Sequence, residues 1–219
     1  MNFLAHVLLA GARPSDQIGG LLGDFVKGPL PCGLPPELAR GVALHRFVDR
    51  STDCHPLFIR SCQRISPERR RFAGIIIDMV YDHFLATYWH CYCDIPLVRY
   101  SQGFYQLLTE YWSFFPEVSF NMLAAMQRQD WLCGYADLAM IGRSLDHISR
   151  VRLKRVNSLA GAVIELEAHY AGLEQDFRGF MPDMLRVCEQ WLVRENLADT
   201  MIVSAGTTIP STGNRMASK

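Results

Sequence analysis

A helix that has to bury charged groups constrains this chain more than any other feature. The run from Ile75 to Leu85 is apolar on every side except for Asp78, Asp82 and His83. A helix that is apolar all round lies in a protein interior, where a carboxylate must be paired, protonated or bound to metal. Asp78 and Asp82 are four residues apart and share one helix face. The run therefore predicts a buried cation site and favours an enzyme over an inert scaffold.

The rest of the chain shows helical periodicity punctuated by proline and glycine, and no segment alternates convincingly between apolar and polar residues. This pattern predicts an all-α fold, a single-domain helical bundle over residues 1–197. The small, polar residues that follow predict a flexible tail over 198–219. We also expect a helix from Ser66, as its N-cap, to about Tyr92, and separate helices over 157–180 and 182–197.

Charge and cysteine usage exclude several classes of function. The 22 basic and 22 acidic residues cancel, and no zinc-finger, RRM or helix-turn-helix signature is present, so nucleic acid is not an expected partner. Seven cysteines without repeated spacing indicate reduced thiols. No window approaches about 18 uninterrupted apolar residues, and the apolar N-terminus lacks a basic region. We therefore expect a cytoplasmic protein without membrane spans.

A second polar cluster lies on the helix before the Ile75–Leu85 run. His45, Asp49 and Asp53 step by four residues and form one stripe along a helix face. Histidine and carboxylates at this spacing suit a hard or borderline divalent ion. The alternative is a solvated face on which Asp49 pairs with an arginine of the same helix.

Weaker signals lie elsewhere in the chain. His6 falls in an apolar N-terminal segment, where a histidine is usually a core residue, and Asp24 follows a glycine-rich stretch, where it is either a ligand or a helix cap. Arg69, Arg70 and Arg71 form a concentrated basic segment in a chain of zero net charge. That segment is either a solvated face or a patch for an acidic partner.

A series of motifs joins these residues from Met1 to about residue 190. They are Met1-Asn2-Phe3-Leu4-Ala5-His6, Gly20-Leu21-Leu22-Gly23-Asp24-Phe25-Val26-Lys27-Gly28, His45-Arg46-x-x-Asp49-x-x-Thr52-Asp53-x-His55-Pro56, Asp78-x-x-x-Asp82-His83-Phe84-Leu85 and Leu166-Glu167-Ala168-His169-Tyr170. With these motifs the chain resembles the acyl carrier protein phosphodiesterase family. The match is densest from Met1 to Leu85.

The resemblance implies an all-helical fold related to the HD-type metal-dependent phosphohydrolases. It implies hydrolysis of the phosphodiester that joins 4′-phosphopantetheine to holo-acyl carrier protein, a reaction of fatty acid and lipid metabolism that releases apo-carrier. Mn²⁺ is the implied metal, with Mg²⁺ or another divalent ion as a substitute. Asp82-His83 is the adjacent doublet on the apolar helix, in the reverse of the usual order.

Together, the clusters and the resemblance predict a site for one or two divalent ions. The expected ligands or their close partners are His6, Asp24, His45, Asp49, Asp53, Asp78 and Asp82. Arg46 is expected to contact the phosphodiester oxygens, and His83 or His55 to protonate the departing serine oxygen. The acidic carrier is expected to dock on Arg69, Arg70 and Arg71.

Two other functions fit the same residues. An HD-like phosphohydrolase acting on a nucleotide or another small phosphate ester would use the same ligands and would not require the basic face. A non-catalytic helical module would hold an ion without turnover.

Overall fold

The computed structural model of this protein describes residues 1–151, 153 and 157–205, with the backbone alone over 198–205. The described residues contain helices and no β-strand, which confirms the all-α class. The α-helices are α1 (Phe3–Leu9), α2 (Pro14–Leu22), α3 (Pro36–Asp53), α4 (Pro56–Arg64), α5 (Ala73–Thr87), α6 (Leu97–Glu110), α7 (Phe120–Arg128), α8 (Trp131–Gly134), α9 (Leu138–Val151) and α10 (Val163–Ala205).

Helix α5 lies in the middle of the bundle. Its side chains Ile76, Ile77, Tyr81 and Phe84 are completely buried, and the helix contacts α1, α4, α9 and α10. Burying each large apolar side chain stabilises the fold by about 1.5 to 3 kcal/mol. The prediction of a buried helix at this position is confirmed. None of the helices described carries an apolar stretch that could cross a membrane.

Helices α2 and α3 cross at close range because glycine faces glycine. A Cβ atom added to Gly19 would lie 2.4 Å from the Cα of Gly41, and one added to Gly41 would lie 2.8 Å from the Cα of Gly19. Backbone atoms cannot give way as a flexible side chain does, so a larger residue would force the helices apart. The crossing sets the C-terminal end of α2 against the part of α3 that carries His45.

The helix predicted to start at Ser66 starts at Ala73 instead, after a single 3-10 turn, and it ends at Thr87. The reason is that Ser66 does not cap a helix. Its backbone N–H and its hydroxyl both donate to the carboxylate of Glu165, which belongs to α10. A contact distant in sequence has replaced the local cap that the Ser-Pro-Glu pattern suggests.

Pro182 does not separate two helices as predicted, because α10 runs unbroken from Val163 to Ala205. A proline inside a helix costs about 3 kcal/mol. Phe177, Phe180 and Met181 beside it are fully buried, and their burial outweighs that cost. The helix also passes residue 198, where the predicted tail begins; residues 206–219 lie outside the described residues, and a tail there stays a prediction.

A buried carboxylate joins α10 to α4. Asp176 is fully buried and accepts hydrogen bonds from Arg60 Nε at 2.8 Å, Arg64 Nε at 3.1 Å and the Ser61 hydroxyl at 3.0 Å. Burial alone would raise the pKa of Asp176, but these hydrogen bonds outweigh burial and lower the pKa below its usual value. The charged form is therefore the one that stabilises the fold.

We expect Asp176→Asn to lower the free energy of unfolding by about 1 to 3 kcal/mol at pH 7, because the two arginines lose their charged acceptor. An Asp with a lowered pKa stabilises the fold above its unfolded pKa of about 3.9 and loses that effect as pH falls through the folded value. The difference between wild type and variant should therefore shrink below about pH 4. Urea unfolding at both pH values measures it.

The control is Glu174→Gln, which removes a carboxylate that pairs with Arg178 one turn further along α10. Such pairs on a helix surface contribute about 0.3 to 0.5 kcal/mol. If both variants lose the same free energy of unfolding, Asp176 contributes no more to stability than a surface ion pair.

Candidate metal centre

Three predicted ligands from two helices meet at one point. His6 comes from α1, and His45 and Asp49 come from α3; one ligand atom of each lies within 4.8 Å of the others. His6 Nε2 is 3.1 Å from Asp49 Oδ1, and His45 Nε2 is 3.1 Å from Asp49 Oδ2. The two imidazole rings stack with their centroids 4.0 Å apart. The His45–Asp49 stripe and the solitary His6 are therefore parts of one cluster.

The hydrogen-bond partner of His45 Nδ1 leaves room for a cation at Nε2 of the same ring. His45 Nδ1 lies 2.8 Å from the Gly20 carbonyl oxygen, which can only accept, so Nδ1 carries a hydrogen. Nε2 then faces Asp49 Oδ2 with a lone pair, unless a proton or a metal ion lies between the two atoms. An Nδ1–H bonded to a backbone carbonyl is also how proteins orient histidines that bind metal.

Protonation satisfies the cluster when no ion is bound. Partial burial alone would raise the pKa of Asp49, but its hydrogen bonds with His45 and His6 outweigh burial and hold the pKa well below its usual range. Burial opposes the charging of His45, yet the Asp49 carboxylate raises the pKa of His45. A protonated His45 would pair with the Asp49 carboxylate, and a divalent ion would compete with that one proton.

His6 is neutral and incompletely hydrogen-bonded. Burial lowers the pKa of His6 to about 3, and the neutral ring is the form that binds metal. Its Nε2 lies 3.1 Å from both Asp49 Oδ1 and the Met1 carbonyl oxygen, so a hydrogen on Nε2 would be shared between two acceptors. Its Nδ1 is buried without a hydrogen-bond partner among the described atoms. Two imidazoles and a carboxylate at this spacing fit a divalent transition ion.

An open cavity of about 350 Å³ lies beside the cluster. Its lining includes His45 and Asp49 of the cluster, together with Asp24, Lys27 and Arg46. This volume is within the range of small-molecule sites. Asp24 is thus brought next to the cluster as predicted, and Arg46, predicted to contact the phosphodiester, lines the same space.

Asp82, predicted as a metal ligand or a close partner of one, accepts hydrogen bonds from backbone amides of α1. It is completely buried, and its two carboxylate oxygens accept hydrogen bonds from the backbone N–H groups of Leu4 at 2.8 Å and Ala5 at 3.1 Å. These amides belong to the first turn of α1, whose backbone N–H groups have no partner within the helix. Asp82 therefore caps the helix that carries His6. Burial raises its pKa to about 7, although the two amides oppose this rise.

The other two predicted carboxylates lie outside the three-residue cluster. Asp78 Oδ1 is 2.9 Å from the Met1 ammonium, which in turn is 3.7 Å from Asp49 Oδ1. Asp78 is therefore connected to the cluster through Met1. Asp53 is exposed at the end of α3 and is not brought to the cluster.

Neither histidine predicted as an acid is among the residues that line the cavity. His83 is buried, with Nδ1 2.9 Å from the Tyr135 carbonyl oxygen and Nε2 3.0 Å from the Tyr170 hydroxyl. His55 caps α4 by accepting a hydrogen bond from the Leu57 N–H, and its Nε2 lies 3.4 Å from Asp183. Both rings thus have structural partners.

The predicted basic face is partly used within the fold. Arg69 donates to Glu165 at 3.1 Å. Arg70 donates to the carbonyl oxygens of residues 63 and 65, which leaves its charge in place. Arg71 is exposed and lies over the ring of Phe72 at 4.5 Å. Arg70 and Arg71 therefore carry most of the remaining positive charge of this segment.

Two positions of this site were not predicted as site residues from the sequence, Gly23 and Lys27. A Cβ atom on Gly23 would lie 2.2 Å from Cγ of His45, so Gly23 leaves room for that ring. Lys27 faces the cavity from the same glycine-rich motif as Asp24. The motif itself was the available signal, but nothing in its spacing shows which of its members face α3.

We expect Gly23→Ala to displace His45 and to weaken Mn²⁺ binding by about 10- to 100-fold, the usual cost of disturbing the support of a metal ligand. Calorimetric titration with Mn²⁺ measures it. The control is Gly103→Ala in α6, where a Cβ atom would meet no described atom within 4 Å and should stabilise the helix by about 0.5 to 1 kcal/mol. Unchanged Mn²⁺ affinity in Gly23→Ala would contradict the placement of His45.

We expect Asp82→Asn to destabilise the protein by about 1 to 3 kcal/mol, because an amide group accepts from one of the two α1 amides and opposes the other. Mn²⁺ binding should weaken but persist, since Asp82 acts on His6 only through α1. Thermal unfolding and Mn²⁺ titration separate these effects. A stable Asp82→Asn variant that binds no ion would instead make Asp82 a ligand.

Comparisons with known proteins point in one direction. The family model described as acyl carrier protein phosphodiesterase matches residues 1–184. A relative of that name from Photorhabdus laumondii is 35% identical over 193 residues, 86% of this chain and 96% of its own. The relative of the same name from Yersinia pestis is 36% identical over 190 residues, covering 85% and 96%. The one from Escherichia coli O157:H7 is 33% identical over 186 residues, covering 84% and 96%. No solved structure matches the chain significantly.

Proposed function

The chain belongs to the acyl carrier protein phosphodiesterase family, and from this premise we propose that it hydrolyses the phosphodiester that joins 4′-phosphopantetheine to the serine of holo-acyl carrier protein. The products are apo-carrier and 4′-phosphopantetheine. One observation carries the proposal: His6, His45 and Asp49 converge beside an open cavity lined by cationic side chains. That combination suits a phosphate ester.

We propose Mn²⁺ as the ion, held by His6, His45 and Asp49, with Asp24 as a ligand or close partner. Two imidazoles favour a transition ion such as Mn²⁺ over Mg²⁺, which prefers oxygen ligands and keeps several waters. When bound, a divalent ion supplies activation of water and polarisation of the phosphoryl group. The relation to HD-type hydrolases remains a prediction.

Side chains of the protein position the phosphodiester in the cavity. Arg46 Nη2 donates to the Val26 carbonyl oxygen at 3.2 Å, which holds the guanidinium against the cavity, and its remaining N–H groups suit the non-bridging phosphate oxygens. His55 and His83 have other partners, so we propose that solvent entering the open cavity protonates the departing serine oxygen. The scissile bond then lies between Arg46 and the cluster.

We further propose that an acidic carrier docks near Arg70 and Arg71, the members of the basic segment not paired with a carboxylate among the described residues. Surface charge of this kind guides association and is screened by salt. A cytoplasmic location and a role in fatty acid biosynthesis belong to the same proposal.

The test is conversion of holo- to apo-carrier by the full chain, followed by mass spectrometry with Mn²⁺ and with a chelator. We expect wild type to turn over with the ion, and Asp49→Asn to lose more than about 100-fold, since a ligand should cost at least as much as its supporting groups. The control is Glu37→Gln, an exposed residue in the first turn of the same helix, with unchanged rates.

Other outcomes would change the conclusion. Hydrolysis of bis(p-nitrophenyl) phosphate without any turnover of holo-carrier would favour an enzyme for small phosphate esters. Stoichiometric Mn²⁺ binding without hydrolysis of either substrate would favour a binding module. Full activity of Asp49→Asn would remove the proposed centre.

A further inference from the structure

We propose that Lys27 binds the phosphodiester in the cavity beside the cluster, and that it is the second cation, with Arg46, that positions the substrate. This inference rests on the proposed function and gives a role to a lysine of the glycine-rich motif that carries Asp24. Three observations support it: the contacts that fix the backbone around Lys27, the charges that face the cavity, and the small number of lysines in the sequence.

The backbone around Lys27 is held in place by three contacts. The ring of Phe25 packs edge-on against Phe115, with centroids 5.9 Å apart. The Val26 carbonyl oxygen accepts from Arg46 at 3.2 Å, and the Lys27 carbonyl oxygen accepts from the Cys32 thiol at 3.4 Å. The Lys27 backbone thus has a defined position at the cavity rim, although its side chain is exposed.

The contact between Arg46 and Val26 links the two cations of the cavity. Arg46 comes from α3, and Lys27 follows Val26 directly. The Arg46 guanidinium donates a hydrogen bond to the carbonyl of Val26, the residue next to Lys27. This hydrogen bond fixes the position of the Lys27 backbone relative to Arg46. A phosphate ester entering between them would meet a cation from each of two chain segments.

The charges that face the cavity favour an anion once a divalent ion is bound. Asp24 and Asp49 contribute two negative charges, and Lys27 and Arg46 contribute two positive ones. Desolvation raises the pKa of Asp24, and the nearby Lys27 ammonium is one of the charges that oppose this rise. A divalent ion at the cluster would turn the balance positive, and preorganised positive groups stabilise phosphoryl transfer.

The choice of lysine is unusual for this chain. It contains three lysines, Lys27, Lys154 and Lys219, among 22 basic residues, so arginine is used almost everywhere else. A lysine ammonium is a compact point charge on a flexible stem, whereas arginine binds in a fixed plane. A flexible side chain beside the cavity can keep its contact with the phosphate group as substrate becomes product, and lysine suits this role. The alternative is a solvated pair with Asp24 that has no part in binding.

The experiment compares Lys27→Met with Arg50→Met in the full, Mn²⁺-loaded protein. Arg50 is an exposed residue of α3 that does not line the cavity. Three quantities are measured for each variant: kcat/KM on holo-carrier, kcat/KM on bis(p-nitrophenyl) phosphate, and the Kd of the product 4′-phosphopantetheine. Mn²⁺ affinity is titrated in parallel, and Lys27→Arg tests whether a positive charge alone restores binding.

We expect Lys27→Met to lower kcat/KM about 10- to 100-fold on both substrates and to weaken 4′-phosphopantetheine binding by a similar factor, as the loss of a charge-assisted hydrogen bond does. Mn²⁺ affinity should stay within about twofold, since a factor of two is only about 0.4 kcal/mol. Lys27→Arg should recover part of the loss, and Arg50→Met should behave as wild type.

Several results would overturn the proposal. If Lys27→Met matches Arg50→Met in all assays, the residue is a solvated partner of Asp24. If holo-carrier turnover alone falls, Lys27 contacts the carrier protein and not the phosphodiester. If Mn²⁺ affinity falls in parallel, Lys27 acts on the metal centre through Asp24.

Failure of the proposed function gives a different pattern. Wild type would then leave holo-carrier intact, while 4′-phosphopantetheine binding would still depend on Lys27. The phosphate-binding role would stand in that case, and the identity of the ester would have to be sought among small molecules.

Discussion

The bond between the Asp82 carboxylate and the start of α1 is the contact on which the rest of the centre depends. Asp82 lies in the core helix α5, and it accepts the amides of Leu4 and Ala5, immediately before His6. Burying a carboxylate costs free energy, and here two backbone donors and the dipole of a short helix offset part of that cost. The core thereby determines the position of a ligand that lies far from it in sequence.

Close backbone packing supplies the other half of the centre. Gly19 and Gly41 let α2 and α3 approach until Gly20 can accept the Nδ1–H of His45. Gly23 then leaves the space that the His45 ring occupies. The glycines matter here for the absence of a side chain, and their helical positions need no unusual backbone angle. One ligand is placed by a hydrogen bond from the core, and the other by the fit of two helices.

Much of this was predictable from residue patterns, and the exceptions share a physical cause. The all-α class, the buried α5 and the His45–Asp49 stripe follow from local periodicity. The partners of Ser66, Asp82 and His83 lie between 50 and 100 residues away, so local pattern gave no information on them. Spacing showed that Asp82 had to be satisfied in the interior, but it could not distinguish a metal ion from two backbone amides.

The pairing of His45 with Asp49 has a consequence for the binding of the proposed ion. His45 Nε2 and Asp49 Oδ2, the two atoms that would bind a metal ion, can share a proton when no ion is bound. Loss of the ion would therefore leave the two groups paired with each other. The scaffold around them is held by other bonds, at Asp82 and at the glycine crossing. Binding and release of the ion would then be reversible and would leave the fold unchanged. The fraction of active protein would depend on the concentration of the ion around it.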